Sequence, residues 1–496
     1  MGSTDASGRR SMQEQEVINR NSHHVPDSTL SARAVRQQYS LSALVTKFKS
    51  WWPRPEGEGK MASNPGFSGS SSSKIPEERN GVFLTRDERA VYESLIDVVR
   101  RRKSSAETPR ILVITDLAKD YDDLAAMVVL KELHRLGVVE LLGFIANLEP
   151  AKDRARFGRG ALDRLDMQNM RIVEGTTGFD NTKPEKKRHR LEPYEFDCSF
   201  MASEKDMPKD GFCGQDLLEE LCKNAKSTGQ KFTLLLISSL EDIHTFARAH
   251  EDLMEAAVSN IVLQGGYFIS PKGELLALDS ANNNRYDPTA ATEFHALMQN
   301  LKIPSTVYTK TAAIAATLEP EVFAQLSRTG NEVGLHLWKV QKLQDLSFYR
   351  NASLKDPKKR FRPDLDQRNF LKTRTNWFES HSDHDTYPVG DEVSNFTKVV
   401  VYDALAALGV SGNDALEALD VLDIPRLGDD FPGPALVKEA MERHQIVGVE
   451  GQSSGIKAPK MVTVLTALLK GSLISAPGVE RARRGSKRNA SHITRG

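Results

Sequence analysis

Ile111-Leu112-Val113-Ile114-Thr115-Asp116-Leu117-Ala118-Lys119-Asp120-Tyr121-Asp122-Asp123-Leu124 decides how this chain is read. Its apolar start is a strand, its polar middle a turn, and its end the opening of a helix. Four carboxylates, Asp116, Asp120, Asp122 and Asp123, crowd that strand end. Like charges a few ångströms apart raise each other's pKa, so the crowding costs stability unless a cation is bound or some of the acids are protonated. Oxygen ligands of this kind suit hard divalent cations such as calcium and magnesium. Helix capping is the blander explanation, since Asp120, Asp122 and Asp123 all suit a helix N-terminus. It does not cover Asp116 as well.

Outward from this stretch the texture stays regular. Val139 to Ala146, Phe232 to Ile237 and Ile261 to Leu263 are further apolar runs, each followed by a polar turn and helical periodicity. That alternation predicts βαβ units and an α/β fold with an open, mostly parallel sheet flanked by helices, Rossmann-like in plan. Ligands of such sheets bind outside the carboxyl ends of the strands, where the acidic turn lies. The domain is expected to span about 81–475. Within it, 332–395 breaks the alternation: a long helix (Leu337, Val340, Leu343, Leu346) precedes a polar, basic and aromatic stretch, which suits a lid or interface insertion. A helix is expected to resume over Thr397 to Leu408, and another over Met461 to Leu469.

The flanks differ in composition. Residues 1–80 are rich in Ser, Gly, Gln and charge and read as mostly disordered, with a possible amphipathic helix over 31–54 that has five basic and no acidic residues. The tail 476–496 is basic. A presequence, a membrane-surface contact or nuclear import are the sharper readings of these ends; solvated tails are the plainer ones.

Composition excludes several classes. Lys plus Arg and Asp plus Glu both total 67 in 496 residues, so no global field favours a nucleic-acid or membrane partner. Cys198, Cys213 and Cys222 make neither a disulfide framework nor a zinc spacing, which suits a reducing compartment, and the cytoplasm is the expected location. The first thirty residues lack the apolar segment of a secretory signal, and no run of about 18 apolar residues predicts a transmembrane helix.

Strand, Asp, short turn, Asp-Asp, helix resembles the N-terminal signature of the inosine-uridine preferring nucleoside hydrolase family, D-x-D-x-x-x-D-D. Aligned without a gap, Ala118 falls where a calcium-binding Asp belongs; aligned by strand, Asp116 takes that place with two extra residues in the turn. Three segments follow in the family's order. Gly143-Phe144-Ile145-Ala146-Asn147 ends the second strand, Leu263-Gln264-Gly265-Gly266 precedes Asn282-Asn283-Asn284-Arg285-Tyr286-Asp287-Pro288, and Val399-Val400-Val401-Tyr402-Asp403-Ala404 opens the late helix. The resemblance implies a calcium-dependent nucleosidase that cuts the N-glycosidic bond of a ribonucleoside with a metal-activated water, in purine or pyrimidine salvage, and a homodimer or homotetramer.

By the same resemblance, calcium is held by Asp116, Asp123, Asp403 and a backbone carbonyl near Glu241; Asp116 is the general base; and Asp122, Asn147, Asn283 and Tyr402 contact the substrate. Two positions depart from the family: Tyr402 stands where many members have His, and Ala281 where they have Glu. Tyr donates a proton less readily near neutral pH, its usual pKa being about 10. His381, His384 and Asp385 in the insertion could supply an acid from a closing lid, though loop histidines are more often inert. A haloacid-dehalogenase-type phosphatase needs a second Asp two residues after Asp116, and Ala118 stands there. A catalytically silent or altered-substrate ribose-binding protein on the same scaffold is the alternative that the two departures favour.

Overall fold

The computed structural model describes residues 75–105, 108–179, 191–207, 211–423, 434–449 and 453–476. The helix expected over 31–54 and the basic tail beyond 476 lie outside them.

The four apolar runs become four of seven strands, β1 Arg110–Thr115, β2 Glu140–Ala146, β4 Phe232–Leu236 and β5 Val258–Gln264, and three that the sequence did not single out join them, β3 Ile172–Glu174, β6 Ser305–Tyr308 and β7 His444–Val447. They pair in the order β7-β6-β5-β4-β1-β2-β3, and every pairing is parallel. The chain walks from β1 to β3 on one side and returns to the other side of β1 with β4. The order therefore reverses between β1 and β4, and a crevice opens at their carboxyl ends, the usual ligand position in doubly wound sheets.

Pleating sends alternate residues to opposite faces, so the sheet carries two cores. Ile111, Val113, Leu235 and Val262 join one with helices α1 Arg86–Ser105, α2 Asp122–Leu136, α3 Ala151–Arg164, α7 Glu332–Ala352, α8 Tyr402–Gly409 and α9 Ala458–Ser475. Leu112, Ile114, Leu234 and Leu263 join the other with α4 Gly214–Thr228, α5 Glu241–Ala249 and α6 Pro288–Asn300. Of these, α2 matters most to the site. It leaves β1 through the acidic turn and ends at Gly137, whose left-handed φ of 83° lets its N–H reach the carbonyls of Leu133 and His134.

Three expectations shift. The strand expected over Ile261 to Leu263 runs the length of β5, and the helix expected over Met461 to Leu469 runs the length of α9. The helix expected from Thr397 begins only at Tyr402, because Thr397 and Val399 are drawn into bridges with Thr375 and Leu318 and the run Val399-Val400-Val401 favours extended backbone. Segment 332–395 carries a small core of its own, with Leu346, Tyr349, Phe370, Leu371, Trp377 and Val393 buried together. All three cysteines are free, and no helix among the described residues is long and apolar enough to cross a membrane.

Candidate metal centre

The N–H groups of a helix's first turn favour negative charge, and α2, α5 and α8 all begin near the carboxyl edge of the sheet. β1 stops at Thr115, and the turn after it carries Ala118 at φ 71°, in the left-handed region. Asp120 follows that bend, Asp122 and Asp123 occupy the first turn of α2, and Asp403 occupies the first turn of α8. The result is a quartet. One carboxylate oxygen from each of Asp120, Asp122, Asp123 and Asp403 lies within 4.8 Å of the other three.

Asp123 is pinned to the strand end, its Oδ1 accepting from the Asp116 N–H at 3.0 Å and from the Thr115 hydroxyl. Burial, then the charges of Asp120 and Asp403, push the Asp122 carboxyl well above the usual carboxylate range. Burial does the same to Asp123, aided by Asp116 and Asp403, and to Asp403, aided by Asp120 and Asp116. Asp120 moves the other way: burial opposes its charge, but the Lys119 ammonium at 3.5 Å and a hydrogen bond with Asp122 outweigh it. Among the described residues, Asp120 Oδ1 is buried without a hydrogen-bond partner.

A divalent cation fits this set. Calcium binds oxygens at about 2.3–2.6 Å, so ligands on opposite sides of one ion stand about 4.8 Å apart. An all-carboxylate donor set is that of a hard cation rather than of zinc, which favours nitrogen and sulfur. An ion would also relieve the excess of negative charge.

The expected residues are distributed unevenly around this centre. Asp123 and Asp403 are in the quartet, and so is Asp122, which was expected on the sugar. Asp116, expected as both ligand and base, stands beside the quartet rather than in it, near enough for its charge to act on Asp123 and Asp403. Asp120, read from the sequence as one of the four crowded acids and equally as a helix cap, takes the fourth place, two residues after the left-handed Ala118. Burial raises the Asp116 carboxyl, with Lys119 opposing and Asp120 reinforcing.

Asn147 is fully buried, and its Nδ2 donates to the Ser239 carbonyl at 3.0 Å and to Asp242 at 2.7 Å, while its Oδ1 accepts from Ser238. The amide thus ties the end of β2 to the end of β4. Asn283 donates to both the carbonyl and the side-chain oxygen of Gln264, at 3.1 and 2.9 Å. Gly265 at φ 143° and Gly266, where a Cβ would meet the Leu278 side chain at 2.7 Å, let the chain fold back so that Asn283 reaches it. Glu241 opens α5 with its carboxyl turned to Thr176 and the Gly178 backbone. Tyr402 is half-buried, and its hydroxyl accepts from Arg374 at 3.1 Å. His381 stacks on Trp377 with centroids 3.6 Å apart and bonds to its carbonyl, within segment 332–395.

Four residues matter here that the sequence did not single out. Lys119 reaches over the Tyr286 ring, 5.7 Å from its centroid, and Tyr286 meets Phe179 edge-on at 5.6 Å. Asp242 accepts from Thr176 N–H and hydroxyl at 2.8 and 2.7 Å, fixing the loop after β3. Arg154, completely buried, donates to the carbonyls of Leu117, Leu148 and Glu149 at 2.9, 3.0 and 3.2 Å and pairs with Glu195 at 2.9 Å. It staples the turn after β1 to the turn after β2. Nothing in α3, which also holds Arg156, Arg159 and Arg164, sets Arg154 apart. Lys119 and Tyr286 had the better signal, each lying inside a quoted motif.

No family model matches the chain, and no curated protein is similar to it. Solved structures do match. The type III effector protein XopQ complexed with adenosine diphosphate ribose superposes with a TM-score of 0.62 at 22% identity, over 79% of this chain and 100% of that one. The effector protein XOO4466 gives 0.61 at 22%, over 79% and 99%. A purine-preferring ribonucleoside hydrolase from Gardnerella vaginalis gives 0.47 at 13%, over 74% and 100%. At these identities the likeness is one of fold: the chain shares the α/β architecture of the two effector structures.

Proposed function

We propose that this chain hydrolyses the N-glycosidic bond of a ribonucleoside or related N-riboside with the help of a calcium ion, giving free base and ribose. The observation that carries the reading is the aspartate quartet, assembled at the switch point of a parallel sheet from residues as far apart in sequence as Asp120 and Asp403. Asp120, Asp122, Asp123 and Asp403 would hold the ion. When bound, calcium supplies positive charge that orients a water and makes it more acidic.

The rest falls to the chain. In this reading Asp116, beside the quartet with a raised pKa, accepts the proton of that water. N-riboside cleavage builds positive charge on the sugar, and the carboxylates around it stabilise that charge as in glycoside hydrolysis. Phe179 and Tyr286 offer an apolar wall for the base, and Tyr402 offers a hydroxyl near Asp122 and Asp120. Asn147 and Asn283 keep an oxygen lone pair each for a sugar hydroxyl, while their amide nitrogens brace the ends of β2 and β5.

Purine, pyrimidine and nicotinamide ribosides, with adenosine diphosphate ribose as a further probe, should be assayed for liberated ribose with calcium and with chelator. Release that needs calcium and vanishes in Asp123→Ala is the expected result. A second reading, a ribose-binding protein without turnover, is favoured by one observation: the Asn147 and Asn283 nitrogens are already committed to protein groups. Tight calcium and ligand binding with no ribose from any substrate would establish it instead.

A further inference from the structure

Segment 332–395 does more than pack on itself. Its helix Gln367–Arg374 ends where the chain enters a short antiparallel pairing with the residues that lead into α8. Thr375 bridges Thr397, the Lys398 N–H donates to the Arg374 carbonyl at 2.8 Å, and the Asn376 N–H donates to the Phe396 carbonyl at 2.9 Å. This ladder sets Arg374 against the start of α8, and its Nη1 donates to the Tyr402 hydroxyl at 3.1 Å.

The guanidinium is itself held. Asp345, on α7, lies close enough to act on its charge, as do the phenols of Tyr121 and Tyr402. Asp345 in turn accepts from Gln341 and Thr397. Tyr402 directly precedes Asp403, and its neighbourhood includes Asp122 and Asp120. A phenol at the first position of a helix has several rotamers open to it, and a charged donor whose backbone is tied into this ladder selects one.

We propose that Arg374 is a positioning residue of the aspartate site: it holds the Tyr402 hydroxyl on the side of Asp122 and Asp120, so that segment 332–395 completes a site otherwise built by the sheet. The geometry stands by itself; only the turnover readout below rests on the riboside reading.

The full-length chain labelled with carbon-13 at tyrosine Cζ reads the geometry directly. Tyr402→Phe identifies the Tyr402 signal by its loss. Arg374→Met should shift that signal, and Arg374→Lys should restore most of it by supplying a charged donor. The second readout is inosine hydrolysis in a double-mutant cycle. Arg374→Met and Tyr402→Phe should each lower kcat by about tenfold with KM moved less, and the double variant should be no worse than the poorer single one. A Tyr402 signal unmoved in Arg374→Met, or losses that simply multiply, overturns the proposal. A wild-type chain that hydrolyses no riboside overturns the proposed function instead, and the carbon-13 signal then decides the role of Arg374 alone.

Discussion

The two halves of α2 bury charge in opposite ways. At its start, Asp122 and Asp123 join Asp120, Asp403 and nearby Asp116, with Lys119 beside Asp120 and Arg154 acting on Asp116. Further along, Glu132, with no exposed surface, accepts from Lys131 at 3.3 Å, from Arg135 at 2.6 Å and from the Tyr92 hydroxyl at 2.7 Å, while Lys470 pairs with Glu88 alongside. Burial opposes the Glu132 charge, yet Arg135 and Lys131 hold its carboxyl below the usual range. The first cluster keeps an excess of negative charge, whereas the second meets its acids with bases from its own chain. The difference teaches where to look for a ligand: charge that the fold balances is architecture, and charge it leaves unbalanced is a place for something else.

Breaking the balanced cluster should cost most. Glu132→Gln leaves the buried Lys131 and the half-buried Arg135 without their carboxylate and should destabilise the chain by about 3–5 kcal/mol in urea or thermal unfolding, with and without calcium alike. A calcium response of the usual size in this variant would show that the two ends of α2 are independent, as the comparison requires.

The unbalanced cluster sharpens the contrast through pH. Asp122, Asp123 and Asp403 have folded pKa values raised above their unfolded ones, so the folded chain without metal binds extra protons between the two. Their contribution is complete below the unfolded pKa, about 4, and is lost as pH rises through the raised values. Chelated protein should therefore lose stability on going from pH 5.5 to pH 8, and calcium should restore it. At a hundredfold excess over Kd the ion contributes about 2.7 kcal/mol, and less at the lower pH, where protons compete for the same oxygens. A thermal-shift series at the two pH values checks both signs; calcium stabilisation that grows toward acid would sink the quartet as its site.

The smallest effect has the most telling sign. Asp122→Asn removes one charge from the crowded set and should stabilise chelated protein by about 1 kcal/mol while lowering calcium affinity at least tenfold by calorimetry. The same acid-to-amide change thus destabilises at Glu132 and stabilises at Asp122.

The sequence by itself determined the strand-helix alternation and therefore the parallel sheet, because burial on both faces requires the near-continuous apolar runs of β1, β2, β4 and β5. It also determined that acids crowd the end of β1, and it pointed to Asp403 as a distant member. What it could not determine was which acids meet. Asp120 lies within 4.8 Å of Asp122, Asp123 and Asp403 after a turn that carries the left-handed residue Ala118, and backbone conformation of that kind is selected by the surrounding packing rather than by the alanine. Arg154, Asp242 and Arg374 were invisible for the same reason. Each acts by hydrogen bonds to partners outside its own element, and only the closed tertiary structure decides which arginine of α3 staples the turns at the site, Arg154, and which reach elsewhere, as Arg156 does to Ala202 and Arg164 to Glu332.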